Sequence, residues 1–313
     1  MSLLPRPLSA FTVERMRTRP VSIAAAAAVP LLAGTAVVSG SLRALRRLGS
    51  SPFAEPELPG ERGTLVLPSG AVASFRLRAE GTGTPVVLLH GWGSCADASW
   101  FSVLPHLEAP FLAVDHPGHG LSAGSDEFSF ELAAASLLAI VEHTGLRGAH
   151  LVAHSMGGGV ALTALRKDPD AFSRLTMVAT TAFFSSPAMS ALVALAPFAA
   201  GSRSPLLVRG LLREMEELPV HAYSIAWAWR NRPSEAVLAA SASALRSFDA
   251  RQWQDLRLPW TRWVVPEGDR VIRPALQLAS AAHFSHDVLE LPAAGHSFFL
   301  HDPEVLLFTL GLP

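Results

Sequence analysis

Between residues 85 and 180, short apolar segments alternate with longer segments of helical periodicity, and this alternation constrains the fold more than any other feature. The predicted elements are strands at 85–89, 110–115, 149–153 and 174–180 and helices near 130–143 and 157–167. Strands separated by helices pair in parallel, and their sheet needs helices on both faces. The sequence therefore predicts an α/β fold with a mostly parallel central sheet covered by helices on both faces.

The pattern changes on both sides of this region. Before it, residues 64–67 and 72–78 flank a Pro-Ser-Gly turn, which predicts an antiparallel β-hairpin. After it, residues 183–256 have helical periodicity interrupted by prolines and no convincing strand. The pattern then predicts strands at 261–265 and 287–291 and a short last helix from Asp302.

The composition is that of a chain with a large buried core. Half of the residues are hydrophobic and 16% are charged, against about 25% in a typical soluble domain. The net charge of −1 gives no electrostatic reason to expect nucleic-acid binding. Cys95 is the only cysteine, so an intrachain disulfide is excluded.

Residues 1–62 differ in character from the rest of the chain. Residues 21–40 carry no charge and are flanked by arginines on both sides, and their length is close to the ~20 residues that span a bilayer. We expect a single membrane anchor and a membrane-associated protein. A cleaved signal peptide, which would make the protein secreted, and a soluble or surface-lying helix, compatible with a cytoplasmic protein, are the alternatives. Residues 50–62 have the composition of a linker.

A serine lies where a predicted strand meets a predicted helix. The segment Ala153-His154-Ser155-Met156-Gly157 has the form A-x-S-x-G, with a small residue two positions on either side of the serine. A tight strand-to-helix turn of this kind pushes the hydroxyl out of the sheet, and the helix N-terminus behind it favours developing negative charge. Ser155 is therefore a candidate nucleophile.

Four further segments place polar residues at the ends of predicted strands. In chain order they are His90-Gly91-Trp92-Gly93, the loop from Asp115 to Ser122, Asp269 and His296. Together with Ser155 they resemble the α/β-hydrolase family, in which the serine, the acid and the histidine follow one another in this order along the chain.

The resemblance extends from about residue 63 to the C-terminus, and it implies how the chain is divided. The family inserts a helical cap over its site, at the position that residues 183–257 occupy here. We expect an N-terminal hydrophobic segment and linker (1–62), the first part of the hydrolase core (63–182), the cap (183–257) and the second part of the core (258–313).

The resemblance also implies the roles of three side chains. Ser155 would be the nucleophile, His296 the general base, and Asp269 the acid that orients the imidazole. Capping of the helix after Pro274 is the alternative role for Asp269. Asp115 and Asp249 are the other candidate acids, although Asp115 is better suited to anchoring the loop that follows it.

The backbone N–H groups of Trp92 and Met156 are the expected oxyanion hole. The sequence contains no metal-ligand spacing, phosphate-binding loop or dinucleotide fingerprint, so we expect neither a metal nor a cofactor. Aromatic residues of the predicted cap belong either to a substrate pocket or, as we favour for most of them, to the core of the cap: Phe183, Phe184, Phe198, Tyr223, Trp227 and Trp229.

A serine nucleophile attacks an acyl carbon. We therefore expect a serine hydrolase that cleaves carboxylic esters of small to medium apolar substrates through an acyl-enzyme. The same triad would support C–C bond hydrolysis of a diketone-like substrate, or lipase or thioesterase activity. A membrane-tethered binding protein that has lost catalysis is the non-enzymatic alternative.

Overall fold

The computed structural model describes residues 57–122, 126–184, 230–284 and 287–311. Their centre is an eight-stranded sheet in the order β1-β2-β4-β3-β5-β6-β7-β8. The strands are β1 (Glu61–Val66), β2 (Val72–Arg78), β3 (Val86–Leu89), β4 (Phe111–Val114), β5 (Ala149–His154), β6 (Phe172–Val178), β7 (Trp260–Pro266) and β8 (Asp287–Leu291). The α-helices are α1 (Ala96–Trp100), α2 (Phe130–Thr144), α3 (Met156–Lys167), α4 (Glu235–Ser247), α5 (Pro274–Phe284) and α6 (Pro303–Leu310).

The strand pairing confirms the predicted sheet. β1 and β2 form the antiparallel hairpin, with Thr64 opposite Ser74, and β2 is also antiparallel to β4. Every other pair, from β4 through β3, β5, β6 and β7 to β8, is parallel. The carboxyl ends of six strands therefore meet at one edge of the sheet, where ligands bind in open α/β folds.

Alternate side chains of the central strands pack into two separate apolar layers. Val87 and Leu89 of β3 lie in the layer that contains α2, α3 and α4, whereas Val86 and Leu88 lie in the layer that contains α1 and α6. All residues of β3, β4 and β5 are buried. This explains why β3 and β4 are continuous apolar runs rather than alternating ones.

The helix ends follow their local sequence. The Ser129 hydroxyl accepts a hydrogen bond from the N–H of Leu132 at the start of α2, and Gly145 ends the helix in the left-handed conformation with φ of 70°. Ser234 caps α4 in the same way, through the N–H of Val237. These caps fix where α2 begins and ends and where α4 begins.

Two predicted parts of the chain fall wholly or mostly outside the described residues. One is the predicted anchor at 21–40. Within the parts of the chain that the structure describes, no helix combines the length and the apolarity needed to cross a membrane. The other is the predicted cap, of which residues 185–229 are not described, including Phe198, Tyr223, Trp227 and Trp229. Phe183 and Phe184 are buried, and Phe184 belongs to the core layer of α2 and α3.

The described parts of the predicted cap region are tied to the sheet. Val237 and Leu245 of α4 are buried in the core. Phe183 and Asp249 form an antiparallel bridge, in which the Phe184 N–H donates to the Phe248 carbonyl (3.1 Å) and the Ala250 N–H donates to the Ala182 carbonyl (2.8 Å). The bridge brings the two ends of the intervening segment together.

Candidate active site

Ser155 lies between the last residue of β5 and the first residue of α3. Its backbone has φ of 54° and ψ of −121°, a region that residues other than glycine rarely adopt. Its N–H donates to the Val178 carbonyl (3.1 Å), and its carbonyl accepts a hydrogen bond from the Thr180 hydroxyl (2.5 Å). The last residue of β6 and the residue two positions beyond it thus hold the N–H and the carbonyl of a strained serine, as expected where strain serves a function.

The small residues of the motif are required because α3 starts very close to the sheet. A Cβ atom on Gly157 would lie 2.9 Å from Leu89 Cβ and 3.0 Å from the His90 carbonyl oxygen. A Cβ on Gly158 would lie 2.3 Å from the Thr180 hydroxyl oxygen. Glycine at these positions lets the helix N-terminus come directly behind Ser155.

The structure brings Ser155, His296 and Asp269 together. His296 follows β8, and its Nε2 lies 3.1 Å from the Ser155 Oγ. Its Nδ1 lies 2.8 Å from Asp269 Oδ2, on a carboxylate side chain that is fully buried. The three side chains come from the ends of β5, β7 and β8 and form one hydrogen-bonded series.

Asp269 has two sets of partners: one fits its expected role as the acid, and the other lies in the loop before α5 and not in the helix that Asp269 was alternatively expected to cap. Oδ1 accepts hydrogen bonds from the N–H groups of Val271 (2.8 Å) and Ile272 (2.9 Å), in the loop before α5. Oδ2 accepts from His296 and from the Gln277 side-chain amide (2.8 Å). The backbone bonds fix the carboxylate so that its other oxygen faces the imidazole. No sequence signal pointed to Gln277, which lies one turn into α5.

The other two candidate acids are bound elsewhere. The Asp115 carboxylate accepts hydrogen bonds from the N–H groups of Ala96 (2.7 Å) and Leu121 (2.9 Å), so it anchors its own loop to the start of α1, as predicted. Burial raises the pKa of Asp115 to about 6. Asp249 forms an ion pair with Arg251 (2.6 Å), and that hydrogen bond lowers the pKa of Asp249.

The peptide groups of Trp92 and Met156 belong to segments that lie next to Ser155. Met156 is the first residue of α3, where backbone N–H groups have no partner within the helix. Gly91, which precedes Trp92, is so close that a Cβ on it would lie 3.2 Å from Ser155 Cβ. The Trp92 indole N–H donates to the Ser241 hydroxyl of α4 (2.8 Å). These positions are compatible with the expected oxyanion hole.

His154 is a further residue of the site that the sequence did not single out. Its Nε2 lies 3.1 Å from the carbonyl oxygen of His296, and because a carbonyl only accepts, this nitrogen carries the proton. Burial, followed by the charge of a protonated His296, lowers the pKa of His154 well below its ordinary value. The neutral His154 side chain thus connects the end of β5, directly before Ser155, to the backbone of His296.

An alcohol, an imidazole and a buried carboxylate in series can deprotonate the alcohol as it attacks an electrophile. N–H groups beside the alcohol can stabilise the oxyanion that attack on a carbonyl produces. In the described parts of the chain, His, Cys, Asp and Glu side chains form no cluster of three or more suited to a metal ion.

The sheet is mostly parallel, and a strained serine at a strand-to-helix turn faces an imidazole and a carboxylate. These features together define the α/β hydrolases that use a serine nucleophile. The chain belongs to the alpha/beta hydrolase family, whose model matches residues 86–307. This confirms both the resemblance and the predicted fold.

Individual relatives agree with this assignment. A pimeloyl-[acyl-carrier protein] methyl ester esterase of Edwardsiella ictaluri is 32% identical over 243 residues, which are 70% of this chain and 88% of the relative. A hydrolase of Pseudomonas aeruginosa has a similar fold, with a TM-score of 0.68 at 23% identity, over 81% of this chain and 99% of that one. An esterase of Exiguobacterium antarcticum has a TM-score of 0.66 at 20% identity, over 79% and 97% of the two chains.

Proposed function

We propose that the protein hydrolyses carboxylic esters through an acyl-enzyme on Ser155. The observation that carries the proposal is the series Ser155–His296–Asp269, with contacts of 3.1 Å and 2.8 Å. Both contacts have the length of hydrogen bonds.

In the first half-reaction, Oγ of Ser155 attacks the ester carbonyl carbon while His296 Nε2 takes the hydroxyl proton. The tetrahedral oxyanion is stabilised by the N–H groups of Trp92 and Met156. Collapse of this intermediate breaks the C–O bond of the ester, and His296 returns the proton to the departing alcohol. In the second half-reaction, His296 deprotonates a water molecule that attacks the acyl carbon. Collapse of the second tetrahedral intermediate breaks the bond between that carbon and Ser155 Oγ, His296 returns the proton to Oγ, and the carboxylic acid leaves.

Asp269 acts through the imidazole. Its Oδ2 accepts a hydrogen bond from the Nδ1–H of His296, so the proton of the neutral ring is on Nδ1, and Nε2 is unprotonated and faces the serine. The carboxylate also stabilises the imidazolium that forms during each half-reaction.

For the substrate, we propose an ester of small to medium size and largely apolar character. The Edwardsiella ictaluri relative is named as a methyl ester esterase, which supports an ester with a small alcohol as leaving group. One apolar side chain near the turn after Trp92 also agrees with an apolar acyl chain: Leu238 of α4 lies 3.9 Å from the position of a Cβ on Gly93.

The test is a p-nitrophenyl ester series from acetate to palmitate, with the wild type and Ser155→Ala. We expect turnover of the short and medium esters, and a loss of at least about 10³-fold in kcat/KM in the variant because the nucleophile is absent. A fluorophosphonate probe should label the wild type and leave Ser155→Ala unlabelled.

Other outcomes would redirect or reject the proposal. Preference for the longest esters, for acyl thioesters or for a vinylogous 1,5-diketone would indicate a lipase, a thioesterase or a C–C hydrolase on the same residues. An unlabelled wild type that turns over none of these substrates would indicate a catalytically inactive binding protein.

We further propose that residues 21–40 attach the protein to a membrane. Support comes from the absence of charge over 20 residues and from the arginines on both flanks. Fractionation of cells that express the full chain or a variant without residues 1–50 tests this. Recovery of the full chain in the soluble fraction would reject it.

A further inference from the structure

His90 is a fully buried histidine directly before the turn that carries Trp92. Its Nδ1 lies 2.7 Å from the carbonyl oxygen of Gly91. That carbonyl and the N–H of Trp92 belong to the same peptide group. The described residues contain no cis peptide bond, so in this trans peptide the carbonyl and the N–H point in opposite directions. A bond that fixes the Gly91 carbonyl therefore also fixes the direction of the Trp92 N–H.

The protonation state of the His90 ring follows from the polarity of its two partners. The Gly91 carbonyl only accepts, so Nδ1 carries the proton. The His116 backbone N–H only donates, and it lies 3.1 Å from His90 Nε2, so Nε2 is unprotonated. These two partners are compatible with only one tautomer of His90, the neutral ring with its proton on Nδ1.

The His116 side chain in turn binds the backbone of His90. Its Nε2 lies 2.9 Å from the His90 carbonyl oxygen and therefore donates to it. The two rings are 4.2 Å apart between centroids. Residue 90 is thus bound to residue 116 through both its side chain and its backbone, across the carboxyl ends of the neighbouring strands β3 and β4.

The electrostatics of the cluster keep the rings neutral. Burial lowers the pKa of His90 well below its ordinary value, and the nearby His116 and His119 lower it further. Burial also lowers the pKa of His116 to about 3. A second proton on His90 would put an N–H donor against the N–H of His116, which is a repulsive contact.

We propose that His90 is a positioning residue for the oxyanion hole, and that His116 locks it in the required tautomer. This inference rests on the proposed ester hydrolysis. His90 Nδ1–H holds the Gly91–Trp92 peptide so that its N–H faces the site of the oxyanion. Because hydrogen bonds in a chain polarise one another, the bond also makes the Trp92 N–H a stronger donor. Its contribution is needed when negative charge develops on the substrate oxygen, not when the ester binds.

The experiment compares two amide replacements that each keep half of the His90 interactions. In His90→Asn the amide nitrogen stands near the position of Nδ1 and can still donate to the Gly91 carbonyl. In His90→Gln the amide stands near the position of Nε2 and can still accept from the His116 N–H. We expect His90→Asn to retain kcat within about threefold, and His90→Gln to lose roughly 10- to 100-fold in kcat at nearly unchanged KM, since loss of a whole oxyanion donor costs about 10²–10³-fold.

The inhibition constant of a transition-state analogue distinguishes a positioning role of His90 from a purely structural one. A trifluoromethyl ketone forms a hemiketal oxyanion on the serine, so its Ki should rise in His90→Gln by the same factor as kcat/KM falls. His150→Gln is the control for replacing a buried imidazole, because His150 lies at the other end of β5 and contacts Thr176 (2.8 Å). We expect its kcat and Ki to equal those of the wild type.

The outcomes separate the inference from the proposed function. Wild-type kcat and Ki in His90→Gln, or equal losses in His90→Asn and His90→Gln, would overturn the positioning role while ester hydrolysis by the wild type stands. Absence of Ser155-dependent turnover in the wild type would overturn the proposed function, and the inference with it.

Discussion

Ser155 shows how backbone strain and side-chain position are linked at the level of single residues. Its positive φ directs the side chain out of the sheet, and the Thr180 hydroxyl and the Val178 carbonyl hold this conformation through the Ser155 backbone. The sequence predicted Ser155 because the small residues around it are local and visible. Thr180 and Gln277 were missed because each reaches the site through tertiary contacts and carries no motif of its own.

Replacement of Thr180 by valine tests the anchor of the turn. The change keeps the shape of the side chain and removes the hydrogen bond to the Ser155 carbonyl. We expect the free energy of unfolding to fall by about 1–2 kcal/mol, since a buried acceptor loses a partner. We also expect kcat to fall by roughly tenfold through displacement of the nucleophile.

Urea denaturation and steady-state kinetics on a short p-nitrophenyl ester measure both effects. Thr180→Ser is the matched control, because it keeps the hydroxyl, and its kcat should stay near the wild-type value. If the valine variant matched the wild type in both measurements, the anchor would have no role.

At the level of elements, the close packing of α3 against α2 is a feature that the sequence did not predict. Its first turn contains three consecutive glycines, which helix propensity alone disfavours. Gly157 and Gly158 belong to the serine turn, but Gly159 faces α2: a Cβ on it would lie 2.4 Å from the Phe130 ring. The sequence predicted both helices closely and gave no sign of how near they come, because interhelical distance depends on which side chains meet.

Gly159→Ala should therefore destabilise the protein although alanine is the better helix former. The propensity gain is up to about 1 kcal/mol, whereas overpacking costs about 1–3 kcal/mol. The Phe130 ring has little room to move, since it is buried and packs on Phe248 with 4.4 Å between ring centroids. We expect a net loss of roughly 1 kcal/mol, measured by urea denaturation.

A double-mutant cycle identifies the cause. Phe130→Leu creates space where the new methyl group would lie, so the double variant should be more stable than the sum of the two single losses predicts. Strict additivity would mean that the alanine acts through the helix backbone and not through the ring.

Across the whole molecule, the sheet and the site were predictable and the buried histidines were not. The strands and their mostly parallel pairing follow from periodicity, and the meeting of Ser155, His296 and Asp269 follows from a motif order that resembles a known family, whereas the order of the strands in the sheet was not predicted. The histidines of the sequence are spread along the chain, and their clustering depends on which strand ends become neighbours. Burial lowers the pKa of His119 and of His150 to about 4 and that of His116 to about 3.

These histidines should make the stability depend steeply on pH. In the unfolded chain a histidine binds a proton near pH ~6.5, whereas in the folded protein these three bind one only near pH 3–4. Between those values the unfolded state holds more protons, so stability falls as the pH decreases below about 6.5, by about 1.4 kcal/mol per pH unit for each histidine. The pKa of Asp115 is raised to about 6 in the folded protein, so below that pH its protonation favours the folded state. This offsets the loss of stability caused by one of the three histidines.

Urea denaturation at pH 7.5, 6.5, 5.5 and 5.0 measures this dependence. His150→Gln removes one of the titrating groups, and its slope should be shallower than that of the wild type by about 1.4 kcal/mol per pH unit. A wild-type stability that does not change over this range would contradict the neutral state of the buried rings.

The bridge between Phe183 and Asp249 has an evolutionary consequence. The bridge closes the segment between residues 183 and 249, so insertions and deletions in the part of this segment before α4 need not alter the strand register that aligns Ser155 with His296. We expect related sequences to vary in length and composition between residues 184 and 234 as their substrates change, and to retain Ser155, His296 and Asp269.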